Sequence, residues 1–147
     1  MKASKILFPT DFSPYGAEAL RWATALARDS GAKLIIVHVE EPPMAYGGGE
    51  MYLGAEQGDR EELRKSLVQV IPADAKVAFE HKLLVGDPAT AIVEAASQEN
   101  ADLIVIGTHG RTGLTRLLMG SVAEAVVRRA KCPVLTVKHP SALPAEG

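Results

Sequence analysis

The feature that most constrains the fold is an alternation. Short aliphatic runs take turns with segments of helical period along almost the whole chain. That pattern marks βαβ units and a parallel sheet. Ile6-Leu7-Phe8 and Leu103–Ile106 are continuously apolar instead of alternating with polar residues, and Leu34–Val39 reads the same way. A strand covered by helices on both faces has no side that prefers water, so continuous apolarity is what such a sheet requires. Lys76–Val85 and Val134–Val137 complete five expected strands. The first helix is expected from Pro14, with Ser13 as its cap, a buried stripe of Leu20, Ala23 and Ala27, and Gly31 as its left-handed terminator. A charged helix follows over Asp59–Val70. A third opens after Gly86-Asp87-Pro88 with Ile92, Val93 and Ala96 inward. A fourth runs from about Ser121 to Ala130 with Val122, Val126, Val127 and Ala130 on one face. Trp22 is expected to pack against a neighbour of the first helix.

Between the second strand and the charged helix, Pro42-Pro43, Gly47-Gly48-Gly49 and Gly54 break every periodicity, so residues 40–58 read as a long loop. Loops of that length are functional or disordered in compact domains, and both a surface excursion and a lid over a ligand fit. With no repeat and no internal boundary, one domain over residues 1–139 is expected, followed by a short tail, 140–147. A chain of 147 residues suits a single core.

Composition excludes several classes. A net charge of −2 gives no basic face for nucleic acid. The longest apolar runs are far too short to span a bilayer. Lys2 and Lys5 lead straight into a short strand without an apolar stretch of signal-peptide length, so a cytoplasmic location is expected. The single cysteine, Cys132, rules out an internal disulfide and reads as a small buried hydrophobe. His38, His81 and His139 lack metal-ligand spacing and read as structural or solvated.

Chemistry concentrates between Gly107 and Ser121. Gly107, Gly110 and Gly113 follow a buried strand, and Gly120-Ser121 opens the next helix. Glycines let a backbone approach a ligand closely with several N–H groups turned inward. A helix start adds free N–H groups and the positive end of the helix dipole, which together attract a phosphate. Ser121 can cap the helix, donate to a phosphate oxygen, or do both. Arg111 and Arg116 can neutralise phosphate charge or simply face water. The segment is not GxxxxGK[ST], and no GxGxxG follows the first strand, which argues against a P-loop phosphotransferase and a dinucleotide-binding unit. Asp11, leaving the first strand, stands where an open α/β sheet presents ligand groups. It can take ribose hydroxyls, a metal, or neighbouring backbone N–H groups. His109, alone in its loop, has no paired nucleophile and is not assigned a catalytic role.

Lys5-Ile-Leu-Phe-Pro-Thr-Asp-Phe-Ser13, His38-Val39, Gly107-x2-Gly110-x9-Gly120-Ser121 and Cys132-Pro-Val-Leu-Thr-Val137 resemble the universal stress protein family over essentially the whole chain. The resemblance implies a Rossmann-like α/β fold: an open five-stranded parallel sheet of order 3-2-1-4-5 with helices on both faces. The complete G-x2-G-x9-G-[ST] pattern resembles the ATP-binding branch. Carried over, Pro9, Thr10 and Asp11 would hold the adenosine and the Val39 backbone would meet the adenine. Gly107, Gly110, Gly120 and Ser121 would wrap the phosphates, with Met119 and Val122 close by. Ala123 stands where relatives carry a hydroxyl residue. The resemblance also implies ATP, with Mg²⁺ or Mn²⁺, as ligand, and a homodimer paired through Val134–Val137. A regulatory module with at most slow ATP hydrolysis is expected, signalling to a protein partner that the sequence does not name. A genuine ATPase and a dimeric interaction protein without nucleotide are the alternatives.

Overall fold

The computed structural model describes residues 3–42, 52–108 and 119–138. The apolar runs become β1 (Lys5–Pro9), β2 (Lys33–Glu40), β3 (Phe79–Val85), β4 (Leu103–Gly107) and β5 (Val134–Val137). They form one sheet in the order β3-β2-β1-β4-β5, with every neighbouring pair parallel. This is the arrangement expected above. β1 lies at the centre, with Leu7 paired to Ile35 on one side and Ile104 on the other.

Because side chains alternate across a strand, the continuous runs feed two cores. Ile6, Phe8, Leu34, Ile36 and Val105 pack with Ala19, Ala23 and Ala27 of α1 (Ala17–Ser30) and Leu67 of α2 (Tyr52–Val68). Leu7, Ile35, Val37, Ile104 and Ile106 face the other way, against Ile92 and Ala96 of α3 (Pro88–Glu99) and Ala123 and Val126 of α4 (Ser121–Arg129). Helices therefore cover both faces.

Five local expectations need correction. Ser13 does not cap the first helix. Pro14–Gly16 form a single 3-10 turn, α1 starts at Ala17 with Gly16 at the cap position, and the Ser13 side chain makes no capping bond. α2 begins at Tyr52, inside the expected loop, of which residues 43–51 lie outside the described region. Gly54 and Gly58, each about 1 kcal/mol worse than alanine in a helix, conceal that start. β3 begins at Phe79, three residues later than expected, because Asp74 holds a turn: its carbonyl accepts from Val77 N–H and its carboxylate from Lys76 N–H. Finally, Trp22 is 50% exposed and Val127 is exposed as well. α1 seats on the sheet through alanines 19, 23 and 27, too close for an indole between them. Ala123 takes the inward place that Val127 was expected to share.

The strands' N-terminal end is sealed by charge. Lys5 pairs with Glu99, Glu99 with Lys82, Lys82 with Glu80 and Glu80 with Lys33, which links β1, α3, β3 and β2. The Lys33 ammonium, by hydrogen bonding, holds the Glu80 carboxyl below its ordinary value, and Glu99 raises the Lys82 ammonium. Nearby, Asp102 accepts the backbone N–H groups of Ser4 and Lys5 at 2.7 and 3.1 Å. Among the described residues no helix is long and apolar enough to cross a membrane.

Candidate nucleotide site

β1 and β4 lie side by side, yet the next helices along the chain, α1 and α4, pack on opposite faces of the sheet. This is the topological switch point at which open α/β sheets bind ligands. The ladder between β1 and β2 reaches one residue beyond β1, through Thr10 N–H donating to Val37 C=O at 2.8 Å. After that the chain turns sharply. Phe12 adopts φ 67°, a left-handed conformation that costs a bulky residue about 1–3 kcal/mol. The turn is held by its own side chains: Thr10 Oγ1 accepts from Phe12 N–H at 3.1 Å, and Asp11 Oδ1 accepts from Ser13 N–H at 2.9 Å. His38 completes it. Its Nδ1 lies 2.7 Å from the Thr10 carbonyl and its ring stacks on Phe12 with centroids 4.2 Å apart.

Across the switch point, β4 ends at Gly107 and α4 starts behind Gly120. Thr108 N–H donates to Val137 C=O, and Gly120 N–H donates to Thr108 C=O at 2.6 Å. Gly120 is the N-cap of α4 and offers no side chain to its first turn. The N–H groups of Ser121, Val122 and Ala123 therefore have no intrahelical acceptor. The start of α3 is different. Asp87 caps it by accepting from Thr90 N–H and Oγ1, and Pro88 removes a donor. Those two bonds from Thr90 hold the Asp87 carboxyl below its ordinary value. Of these two helix starts, one already has a carboxylate and the other has no side-chain cap from its N-cap residue.

A cavity of about 370 Å³ lies between these loops. Pro9, Thr10, Asp11 and Val39 line one side, and Gly107, Gly120, Ser121 and Val122 the other. Pro88, Ile92 and Ile106 add an apolar wall. Eight of the ten residues singled out from the sequence thus surround one space. Met119 is 39% exposed and is not part of the lining, and Gly110, with His109, Arg111 and Arg116, lies outside the described residues. Ser121 is the first residue of α4, so Gly120 and not Ser121 occupies the cap position. The sequence reading left His38, which also lines the cavity, as structural or solvated, and it missed Glu41 and Thr108. Both follow directly on the C-terminal ends of strands, β2 and β4, the position that the switch-point rule marks.

The remaining titratable candidates sit elsewhere. His81 bonds the Val70 carbonyl through Nε2 at 2.7 Å, a structural role. Burial pushes the Cys132 thiol up, away from thiolate chemistry. Among the described residues, no group of three or more His, Cys, Asp or Glu side chains is placed to hold a metal ion.

Comparison with known proteins agrees with this geometry. The model of the universal stress protein family matches residues 2–138. Universal stress protein MJ0531 of Methanocaldococcus jannaschii is 41% identical over 143 residues, covering 92% of this chain and 82% of that protein. A crystal structure of a universal stress protein in complex with cAMP superposes with a TM-score of 0.67 at 30% identity, over 95% of this chain and 99% of that one. The universal stress protein from Archaeoglobus fulgidus in complex with dAMP gives a TM-score of 0.61 at 26% identity, covering 94% and 100%. A family model that spans nearly the whole chain, a relative of this identity and a shared fold leave one assignment: the chain belongs to the universal stress protein family.

Proposed function

We propose that the protein binds ATP in the cavity at the β1/β4 switch point and acts as a regulatory stress-response module, hydrolysing ATP slowly at most. One observation carries the reading. The cavity has Asp11 and the β2 end on one side and an uncapped helix start with two glycines on the other. A nucleotide has matching ends: a base and sugar with hydroxyls, and a phosphate chain. Relatives held in complex with cAMP and dAMP support the adenine part. The triphosphate rests on the complete Gly107-x2-Gly110-x9-Gly120-Ser121 spacing. In this reading Pro9, Thr10 and Asp11 hold the adenosine and the Val39 backbone meets the base. Gly107, Gly110, Gly120 and Ser121 enclose the phosphates beside Val122 and Met119.

A divalent ion, Mg²⁺ or Mn²⁺, enters with the triphosphate, whose oxygens supply most of its ligands. Among the described residues no hydrogen bond joins a nucleophilic side chain of the cavity wall to a base, which supports holding over turnover. The protein forms a homodimer through the edge strand β5 and resides in the cytoplasm, as a single domain over residues 1–139. Denaturing the purified protein and identifying the released nucleotide tests the central statement. Release of ATP is the expected result, and a protein that neither carries nor takes up an adenine nucleotide overturns it. Turnover above about one ATP per second, within the ordinary enzyme range, would favour an ATPase instead.

A further inference from the structure

The Asp11 turn contains a residue in an unfavourable backbone conformation, and its own two short side-chain bonds do not tie it to the sheet. Thr10 does. Its N–H is held by Val37 C=O, and its carbonyl by His38 Nδ1. Both partners belong to β2. A carbonyl oxygen can only accept, so Nδ1 carries the proton of this bond. The same imidazole stacks on Phe12, the residue at φ 67°, and is itself buried. His38 therefore touches the residues on both sides of Asp11. Along β2 it shares a face with Leu34 and Ile36, whereas Val39 turns to the opposite face with Ile35 and Val37. Its ring thus packs against the turn from the α1 side of the sheet, and His38 also borders the cavity beside Thr10 and Asp11.

We propose that His38 is the positioning residue of the nucleotide site: its Nδ1–H bond to Thr10 sets the orientation in which Asp11 reads the sugar hydroxyls of a bound adenine nucleotide. The proposal rests on the nucleotide-binding reading above and assigns a part of that site's selectivity to a side chain that acts through its bond to the Thr10 carbonyl. Two functions of the ring are separable by substitution. His38→Asn places an amide N–H close to the position of Nδ1 and removes the stack on Phe12. His38→Phe keeps a ring against Phe12 and removes the donor.

The experiment compares the affinities of ATP and 2′,3′-dideoxy-ATP by calorimetry for the full chain, with Asp11→Ala as the reference for lost sugar reading. The wild type should prefer ATP by about tenfold, a difference a single well-placed hydrogen-bonding group supplies. His38→Asn should keep that preference. His38→Phe should lose it, falling to the ratio of Asp11→Ala while still binding through the phosphates. If His38→Phe does not fold, His38→Gln, whose amide is carried one bond further from the backbone, replaces it with the same expected loss. A folded His38→Phe or His38→Gln that keeps the preference overturns the proposal, and so does a folded His38→Asn that loses it. A wild type that binds both nucleotides equally overturns this proposal and leaves the nucleotide reading standing. A wild type that binds neither overturns the nucleotide reading itself, and this proposal with it.

Discussion

Gly120 donates its backbone N–H to the carbonyl of Thr108 at 2.6 Å, which joins the end of β4 directly to the start of α4 across the residues between them. Gly107 and Gly120, thirteen positions apart in sequence, thereby line the same cavity. The bond uses only main-chain atoms, so a substitution at Gly120 tests the space beside it more than the bond.

Gly120→Val should abolish adenine-nucleotide binding, because in the proposed site the branched side chain would occupy the space by which a phosphate reaches the first turn of α4. Its backbone, at φ −62° and ψ 153°, is accessible to any residue, so folding should survive. Gly110→Val is expected to act alike on the strength of the glycine spacing. Calorimetric titration with ATP and a circular-dichroism melt of each variant check both halves; normal binding by both variants would remove the phosphate assignment.

ATP should raise the melting temperature. A ligand that binds only the folded state adds about 2.7 kcal/mol at a hundred times its Kd, which for a domain of this size corresponds to roughly 5 °C or more. Differential scanning fluorimetry with ATP and Mg²⁺ at millimolar concentration gives the answer; an unmoved transition contradicts the proposed ligand.

Phe8→Ala should destabilise the fold by about 3–5 kcal/mol, since Phe8 is 1% exposed and sits in the α1-side core of the central strand. That is a large part of a typical total of about 5–15 kcal/mol. Urea unfolding followed by circular dichroism measures it, and a loss below about 1 kcal/mol would show that the core collapses around the gap.

Acid should weaken the fold partly through Asp102. Hydrogen bonds from the Ser4 and Lys5 N–H groups hold its carboxyl below the ordinary value of 3.8. A group lowered on folding stabilises the protein above its unfolded pKa, and the contribution is lost as pH falls from there through the folded value. Asp102→Asn should therefore be less stable than the wild type near neutrality and lose less stability on acidification. Melting temperatures at about pH 7, pH 5 and pH 3 show whether the two curves converge as this linkage requires; parallel curves would rule it out.

The sheet was legible because each strand carries its own evidence. Ile6-Leu7-Phe8 and Leu103–Ile106 have no polar face, and no arrangement except a doubly covered sheet uses such runs well. Strand order was not legible from the runs themselves and came only with the family resemblance. Helix phase was the weak point. In α4, Val122, Ala123, Val126 and Val127 are all small and apolar, so a period of 3.6 residues fits more than one inward face, and the packing chose Ala123 with Val126. Trp22 was misplaced because size, not polarity, keeps it out. The cavity lining was legible where chemistry is explicit, at Asp11, Gly107 and Gly120. It was hidden at Thr108 and His38, whose contributions run through bonds that form only when β1 and β2, or β4 and β5, lie side by side.

The ion-paired end of the sheet has a practical consequence. Lys5, Lys33, Glu80, Lys82 and Glu99 gather where the strands begin, whereas the cavity opens where they finish. Heat tolerance and ligand preference can thus be adjusted separately: a lineage moving to a hotter habitat can rewrite the charges at one pole and leave the ligand cavity at the other untouched.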